Sequence, residues 1–207
     1  MFYKLNKAFT LIELLTVIAI IGILAAIIIP AVGAARVAAL KAKTKVQFNQ
    51  WAVALQMFKT EYGYFPAIAT NNKLDSVAFF GALTGKNYDG GIATKLSGNT
   101  KKLSFYSASD SEVSLAANGD AVGSDGKLKD AFGNTDIAVF YDTDGDGVVK
   151  SNPDGLTNAK VTSIGGVPCD PSKSNKTFDT TKGVRSGVIL YSAGKGTTDS
   201  DIVYSWQ

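Results

Sequence analysis

The sequence contains no histidine and only one cysteine, Cys169. The absence of histidine excludes Ser-His-Asp catalysis, histidine-ligated zinc and an imidazole pH switch. A single cysteine excludes an intrachain disulfide and a thiolate metal cluster, and a lone cysteine is typical of a small packed residue rather than a nucleophile. Charged residues are also scarce, at 19%. This share is below the usual quarter and indicates an apolar segment that does not face water.

Acidic and basic residues nearly balance, with 18 against 21 and a net charge of +3. This excess is too small to indicate a nucleic-acid partner. The charges and glycines are unevenly distributed, because residues 1–62 hold seven basic groups, two acids and only two of the 21 glycines. The first third of the chain therefore reads as continuous helix, and the remainder as strands, turns and loops.

A run of 22 residues without a charge extends from Leu14 to Ala35. As a helix it spans roughly 33 Å, enough to cross a hydrocarbon core of about 30 Å. A secretory signal peptide is the alternative, but its apolar core is usually about 7–15 residues and is followed by a cleavage site. Here the run is longer and the helical pattern continues beyond it, which favours a retained membrane anchor.

Glu13 lies at the start of this apolar run, where an unsatisfied carboxylate is costly. In one interpretation, Thr10 and Glu13 form a capping box, and the positive end of the helix dipole stabilises Glu13. In the other, Glu13 pairs with a cation from another subunit. The two interpretations are compatible at different stages of the protein's life.

Residues 7–15, which read K-A-F-T-L-I-E-L-L, are followed by the apolar run and Pro30. This segment resembles the prepilin N-terminus of type IV pilins and type II secretion pseudopilins. The resemblance implies that a prepilin peptidase cuts between Ala8 and Phe9 and methylates the amine of Phe9. It also implies that Glu13 neutralises the Phe9 amine of a neighbouring subunit during filament assembly. The family usually has glycine where this chain has Ala8.

The same resemblance implies a single-pass inner-membrane protein whose short N-terminal tip is inside and whose globular part lies in the periplasm. Counting positive charges predicts the reverse orientation, since two lysines precede the run and four cations follow it. We follow the resemblance, because the motif is more specific than the count. Within the apolar helix, Gly22 and Pro30 mark the segment that we expect to kink or unwind.

After the apolar run, a single apolar stripe at helical spacing predicts a helix that packs on a sheet. Its members are Val37, Leu40, Thr44, Phe48, Trp51, Leu55, Phe58 and Tyr62. Gly63 predicts the C-cap, and Pro66 prevents continuation. Residues 55–66 resemble the helix end of the major pseudopilin of type II secretion, which narrows the resemblance towards that branch.

The fold class that we expect is α+β, with a long N-terminal helix packed on a small C-terminal antiparallel sheet with long loops. The expected divisions are a leader at 1–8, a membrane and filament-core half-helix at 9–35, an amphipathic half-helix at 36–63, a variable loop region at 64–135 and a sheet with acidic loops at 136–207. The variable region contains one short helix, Ser76–Leu83, closed by Gly85. Strand composition occurs at 137–141, at 184–191 with an interruption at Gly187, and at 202–206. Residues 130–134 resemble the turn that opens the sheet of major pseudopilins.

Asp142, Asp144 and Asp146 alternate along the chain and are closed by Gly147, as in the first half of an EF-hand calcium loop. The second half does not match, because Pro153 holds the twelfth position; Asp154 or a backbone carbonyl could complete a shorter site. A polar hairpin loop without metal is the alternative. Repulsion between three close carboxylates slightly favours Ca²⁺.

Residues 190–206 resemble the last loop of major pseudopilins, which binds one Ca²⁺ through two aspartates and backbone carbonyls. The resemblance implies Asp199 and Asp201 as side-chain ligands, and more weakly Leu190 and Ser192. Lys195 stands where the family often has aspartate, which reduces the negative charge of this site.

The resemblance to major pseudopilins implies a filament-forming structural subunit of a type II secretion-like machine that drives protein export by polymerising, and we expect no enzymatic activity. The implied partners are like subunits, minor pseudopilins, a prepilin peptidase, an inner-membrane assembly platform and the membrane. One alternative is a type IV pilus subunit for adhesion, motility or DNA uptake. Another is a membrane-anchored, Ca²⁺-dependent binding module that does not polymerise.

Overall fold

The computed structural model describes residues 10–86, 97–114, 127–174 and 178–206. The chain divides into two compact units, Met1–Ala39 and Leu40–Gln207. Helix α1 spans Leu11–Tyr62 and contains Pro30. It agrees with the predicted half-helices at 9–35 and 36–63 except at their outer ends, because Thr10 and Gly63 flank the helix and Phe9 lies outside the described residues.

The end of α1 is set by Gly63, which has a φ of 82°. Its backbone N–H donates to the carbonyl oxygen of Lys59 at 2.8 Å. Glycine takes this left-handed conformation without the steric cost that a side chain would add, so the chain can leave the helix here. The predicted C-cap is confirmed.

The second half of α1 supplies one side of the core. Its buried residues are Thr44, Gln47, Phe48, Trp51, Ala54, Leu55 and Phe58. Trp51 lies at their centre, with its ring centroid 5.6 Å from that of Phe48 and 5.2 Å from that of Phe79. The predicted apolar stripe packs from Thr44 to Tyr62, whereas its first members, Val37 and Leu40, are only half-buried and lie outside the core cluster. The α+β fold is confirmed.

All strand pairs in the described residues are antiparallel. The strands are β1 (Ala69–Thr70), β2 (Lys73–Leu74), β3 (Val113–Ser114), β4 (Lys127–Leu128), β5 (Ile137–Tyr141), β6 (Val148–Val149), β7 (Val161–Thr162), β8 (Pro168–Cys169), β9 (Val184–Arg185), β10 (Val188–Ser192) and β11 (Val203–Tyr204). The main sheet has the order β1-β2-β5-β10-β11, and β3-β4, β6-β9 and β7-β8 form separate pairs.

The central strands β5 and β10 are buried on both faces. Val139 and Leu190 face the cluster that contains α1, whereas Phe140 and Tyr191 belong to a second cluster with residues of the later loops. Because both faces are covered, these strands read as continuous apolar runs rather than as alternating patterns.

The short helix α2 spans Ser76–Thr84. Asp75 caps its start by accepting a hydrogen bond from the backbone N–H of Ala78 at 3.1 Å. Gly85, with a φ of 68°, ends it and donates to the carbonyl oxygen of Gly81 at 3.2 Å. The predicted short helix and its glycine cap are confirmed.

The sheet contains one hairpin that the sequence interpretation did not include. Strands β1 and β2 are joined by Asn71 and Asn72, whose φ values are 51° and 61°. Two consecutive positive φ values are typical of a two-residue hairpin turn, and asparagine tolerates them. Strand β2 then pairs with β5 through Lys73 and Ala138, which extends the sheet.

The predicted strand at 184–191 is divided, as the interruption at Gly187 suggested. Its first part, β9, pairs with β6, and its second part, β10, lies in the main sheet. The predicted strand at 202–206 is shorter in the structure, since only Val203–Tyr204 pairs with β10.

Candidate functional site

Helix α1 begins with a reciprocal capping box. The backbone N–H and hydroxyl of Thr10 donate to Oε2 of Glu13 at 2.8 and 2.7 Å, and the backbone N–H of Glu13 donates to the hydroxyl of Thr10 at 3.3 Å. These bonds satisfy donors that the first turn of a helix leaves free. The capping interpretation of Glu13 is confirmed, and its pairing with another subunit stays a prediction.

The apolar run of α1 is exposed within the described chain. Leu11 is 80% exposed, Ile18 is 60% and Ile29 is 72%. By length and composition, α1 is long and apolar enough to cross a membrane, and none of its most apolar stretch is buried. A contiguous apolar surface of this kind needs lipid or protein to cover it.

The predicted acidic loop brings three carboxylates together. Oxygens of Asp142, Asp144 and Asp146 all lie within 4.8 Å of one another, with Asp142 buried and the other two exposed. Asp142 also accepts hydrogen bonds from the backbone N–H groups of Gly145 at 2.7 Å and Gly147 at 3.0 Å. The set offers the hard oxygen donors that Ca²⁺ prefers.

Lys150 already neutralises part of this loop. Its ammonium group lies 3.2 Å from Asp144 and forms an ion pair with Asp146. The hydrogen bond from Lys150 holds the pKa of Asp146 below its usual value. Asp154 accepts from the backbone N–H of Thr143 at 2.7 Å and from that of Lys150 at 3.0 Å, so it closes the base of the loop.

Both carboxylates of the C-terminal loop, Asp199 and Asp201, accept hydrogen bonds from backbone N–H groups. Asp199 accepts from the backbone N–H of Asp170 at 2.7 Å. Asp201 accepts from the N–H groups of Thr197 and Thr198 at 3.0 and 3.1 Å, and Lys41 lies 3.9 Å from its other oxygen. This loop offers two carboxylates to a cation, whereas the first loop offers three.

The two weaker ligand candidates of this region have other partners. The N–H of Leu190 donates to the hydroxyl of Ser205 at 3.0 Å, and its carbonyl oxygen accepts from the N–H of Ser205 at 2.9 Å. The hydroxyl of Ser192 donates to Asp130 at 2.6 Å.

Residues 3–29 match the family model described as the prokaryotic N-terminal methylation motif. This match supports a type IV pilin-like protein. Neither the curated proteins nor the solved structures contain a match to the chain. The match is limited to the N-terminal motif, and this motif does not distinguish a secretion pseudopilin from a pilus subunit.

The predicted processing site, Ala8 and Phe9, lies outside the described residues. Gly22 and Pro30, the predicted hinge, both lie within the continuous helix α1. A Cβ atom added at Gly22 would meet nothing within 4 Å. Glycine is thus not needed there for close packing within the chain, and the hinge stays a prediction.

The second compact unit, Leu40–Gln207, which we call the head, contains a buried polar network that the sequence did not predict. Asp130, which is 1% exposed, accepts from the backbone N–H groups of Phe132 and Asn134, the side-chain amide of Asn134 and the hydroxyl of Ser192, at 2.6–2.9 Å. Burial raises the pKa of the Asp130 carboxyl, and the hydrogen bonds from Ser192 and Asn134 oppose that rise. The resemblance of residues 130–134 indicated the turn but not the burial of its first residue.

This network connects α1 to the sheet. Gln47 donates to the carbonyl oxygen of Lys129 at 2.8 Å, and the hydroxyl of Thr44 accepts from the N–H of Ala131 at 3.3 Å. The side-chain amide of Asn134 also donates to the carbonyl oxygen of Gly194 at 2.7 Å. The turn at 130–134 therefore ties the helix, strand β10 and the C-terminal loop together.

Cys169 is buried among the residues of the second cluster. Burial raises the pKa of its thiol, and the charges of Asp199 and Asp201 add to that effect. A thiol held neutral in this way is a poor nucleophile. The environment agrees with the expected packing role.

Proposed function

We propose that this type IV pilin-like chain is a filament-forming structural subunit of a type II secretion-like machine, which moves proteins across the outer membrane by polymerising. The observation that carries the proposal is the apolar, exposed first half of α1 joined to a methylation motif. In the membrane, lipid covers this surface; in a filament, copies of the same helix cover it. The head plays no catalytic part.

In this proposal a prepilin peptidase removes residues 1–8 and methylates Phe9. The chain waits in the inner membrane with its head in the periplasm, and an assembly platform adds it to a filament with like subunits and minor pseudopilins. Glu13 meets the Phe9 amine of a neighbouring copy. Opposite charges in an apolar bundle attract strongly only at short distance, so this pair selects the register of assembly.

The first test is mass spectrometry of the native N-terminus. The proposal expects a chain that begins at N-methylated Phe9. A chain that begins at Met1, or that is cut after Ala35, contradicts it.

The second test compares Glu13→Gln with Glu61→Gln, a matched loss of one carboxylate at the opposite end of α1. We expect Glu13→Gln to reduce filament yield at least tenfold, roughly 1.4 kcal/mol or more of assembly free energy. Glu61→Gln is expected to leave the yield unchanged, because Glu61 pairs with Lys101 in its own head. Normal filaments from Glu13→Gln would falsify the register role.

A type IV pilus subunit is the second candidate, since the methylation motif occurs in both classes. Genes for a secretin and an assembly platform beside this one favour secretion. A neighbouring retraction ATPase favours the pilus.

We also propose that Ca²⁺ binds the loop of Asp142, Asp144 and Asp146, with the loop of Asp199 and Asp201 as the weaker candidate. Three carboxylate oxygens within 4.8 Å of one another support the first loop. Bound Ca²⁺ would cross-link the turn and displace the ammonium of Lys150. A membrane-anchored Ca²⁺-dependent binding module would share this site but would form no filaments, either as the unchanged chain or as Glu13→Gln.

The calcium proposal is tested by titrating Ca²⁺ into the purified full chain and following thermal unfolding. At about 100 times the dissociation constant, binding stabilises the fold by roughly 2.7 kcal/mol. We expect Asp144→Asn to abolish most of this gain and Asp199→Asn to keep it. If Asp199→Asn alone abolishes the gain, the C-terminal loop is the site; no gain in the unchanged chain contradicts both.

A further inference from the structure

The segment that follows the apolar run is strongly basic. Lys41, Lys43 and Lys45 lie on α1 soon after Arg36, and no acidic residue occurs between Glu13 and Glu61. Helical neighbours three or four residues away therefore provide no carboxylate to pair with these lysines. Any counter-charge must come from elsewhere in the chain or from outside it.

The rest of the described head supplies little of that charge. Lys41 lies 3.9 Å from Asp201. Among the described residues, no carboxylate forms an ion pair with Lys43 or Lys45, and Lys43 is exposed.

The most acidic loop is a poor source of a counter-charge from a second copy of this chain. The carboxylate of Asp142 already binds the N–H groups of Gly145 and Gly147. Asp144 and Asp146 already pair with Lys150. A lysine from another copy would have to displace these partners, so this loop is not the source of negative charge.

The position of the lysines along α1 indicates which source. Lys43 and Lys45 follow the last residue of the uncharged run by eight and ten residues, which corresponds to roughly 12–15 Å of helix. Side chains on a helix tilt towards its N-terminus, here towards the apolar run, and lysine extends its ammonium to a membrane surface. The field of charged headgroups decays over about 8 Å at physiological salt, so both ammonium groups come within its reach.

We propose that Lys43 and Lys45 bind the phosphate groups of anionic phospholipids and hold the anchored subunit against the membrane surface. This contact rests on the proposed membrane anchoring of α1 but not on filament formation. Extraction of a subunit into a filament then requires the release of these lipids, so the anionic lipid content of the membrane sets part of the cost of extraction.

The test uses the full chain in lipid nanodiscs and measures the acylation rate of each lysine by mass spectrometry. Discs of phosphatidylcholine are compared with discs that contain phosphatidylglycerol, and a third sample adds inorganic phosphate to the phosphatidylcholine discs. Near an anionic surface the amine is more often protonated, so we expect Lys43 and Lys45 to react roughly threefold more slowly in phosphatidylglycerol discs. Lys101, which pairs with Glu61 at the other end of α1, is the internal control.

Slower acylation of Lys43 and Lys45 in phosphatidylglycerol discs alone, with Lys101 unchanged, supports the proposal. Equal rates in all three samples overturn it. An equal slowing by inorganic phosphate overturns the assignment to lipid. A slowing that also appears in phosphatidylcholine discs loaded with two chains instead of one assigns the contact to a second copy. All four results are independent of whether Glu13→Gln forms filaments, so this inference can fail while the proposed function stands.

Discussion

The two halves of helix α1 have opposite surroundings. Ile28 in the first half is 55% exposed, whereas Trp51 in the second half is fully buried. Fourteen large aliphatic side chains between Leu11 and Val32 are more than 45% exposed. In the second half, the stripe from Phe48 to Phe58 packs into the core beside α2 and the sheet.

This difference shows that the two regions meet the same physical demand in different ways. Moving one large aliphatic side chain out of water contributes about 1.5–3 kcal/mol. The head obtains this stabilisation from its own strands and loops. The first half of α1 is exposed within the described residues, so under the proposed function lipid or like subunits supply this stabilisation.

We expect the largest effect in a comparison of Trp51→Ala with Ile28→Ala, measured as the change in the free energy of unfolding. Trp51 packs on Phe48 and Phe79, and its indole N–H donates to the hydroxyl of Tyr106 at 3.0 Å. Truncation should lower the free energy of unfolding of the head by about 3–5 kcal/mol, because it leaves a cavity and removes the hydrogen bond to Tyr106. The loss is measured by denaturant unfolding of the full chain in detergent. The unfolding is monitored by far-ultraviolet circular dichroism, because tryptophan fluorescence would change with the mutation itself.

Ile28→Ala is the matched control, because Ile28 is 55% exposed in the first half of α1. It should leave the unfolding midpoint of the head unchanged within about 0.5 kcal/mol. A large effect of Ile28→Ala would break the comparison, since it would show that the first half of α1 contributes to the stability of the head.

The sequence was informative where local chemistry decides the structure. The spacing from Phe48 to Phe58 predicted the packed face of α1, and Gly63 and Gly85 predicted the ends of both helices. The capping box at Thr10 and Glu13 followed from a four-residue pattern. Each of these features depends on residues that are close in the chain, so the local sequence is sufficient to predict it.

The features that escaped prediction depend on residues that are distant in the chain. Strands β1, β2 and β6 have two residues each, too few to show an alternating pattern, and they exist because β5 and β9 lie beside them. Asp130 reads as an ordinary turn residue. Its burial follows from Ser192, 62 positions further along, which no local pattern reveals.

The second test is Asp130→Asn. It measures how much the buried network around Asp130 contributes to the stability of the head, where the second half of α1 packs. The amide keeps the shape but replaces an accepting oxygen with a donor that would face the donors of Asn134 or Ser192. We expect the free energy of unfolding to fall by about 2 kcal/mol. The matched control is Asp179→Asn, since Asp179 is exposed and asparagine keeps the same turn bonds to Thr181 and Lys182. Equal losses from both variants would contradict a special role for the buried network.

The smallest effect is expected at the start of α1, in the region that lacks a core of its own. Thr10→Ala removes the hydroxyl that both donates to and accepts from Glu13, which costs about 1 kcal/mol of local helix stability. Amide hydrogen exchange should become roughly fivefold faster in the first turn, and denaturant unfolding of the head should not change. Thr16→Ala is the control, because its hydroxyl bonds only to the carbonyl oxygen of Glu13 at 3.0 Å, within the helix. If Thr10→Ala also lowers the stability of the head, the two halves of α1 are energetically coupled, and the contrast between them describes surface exposure rather than independent stability.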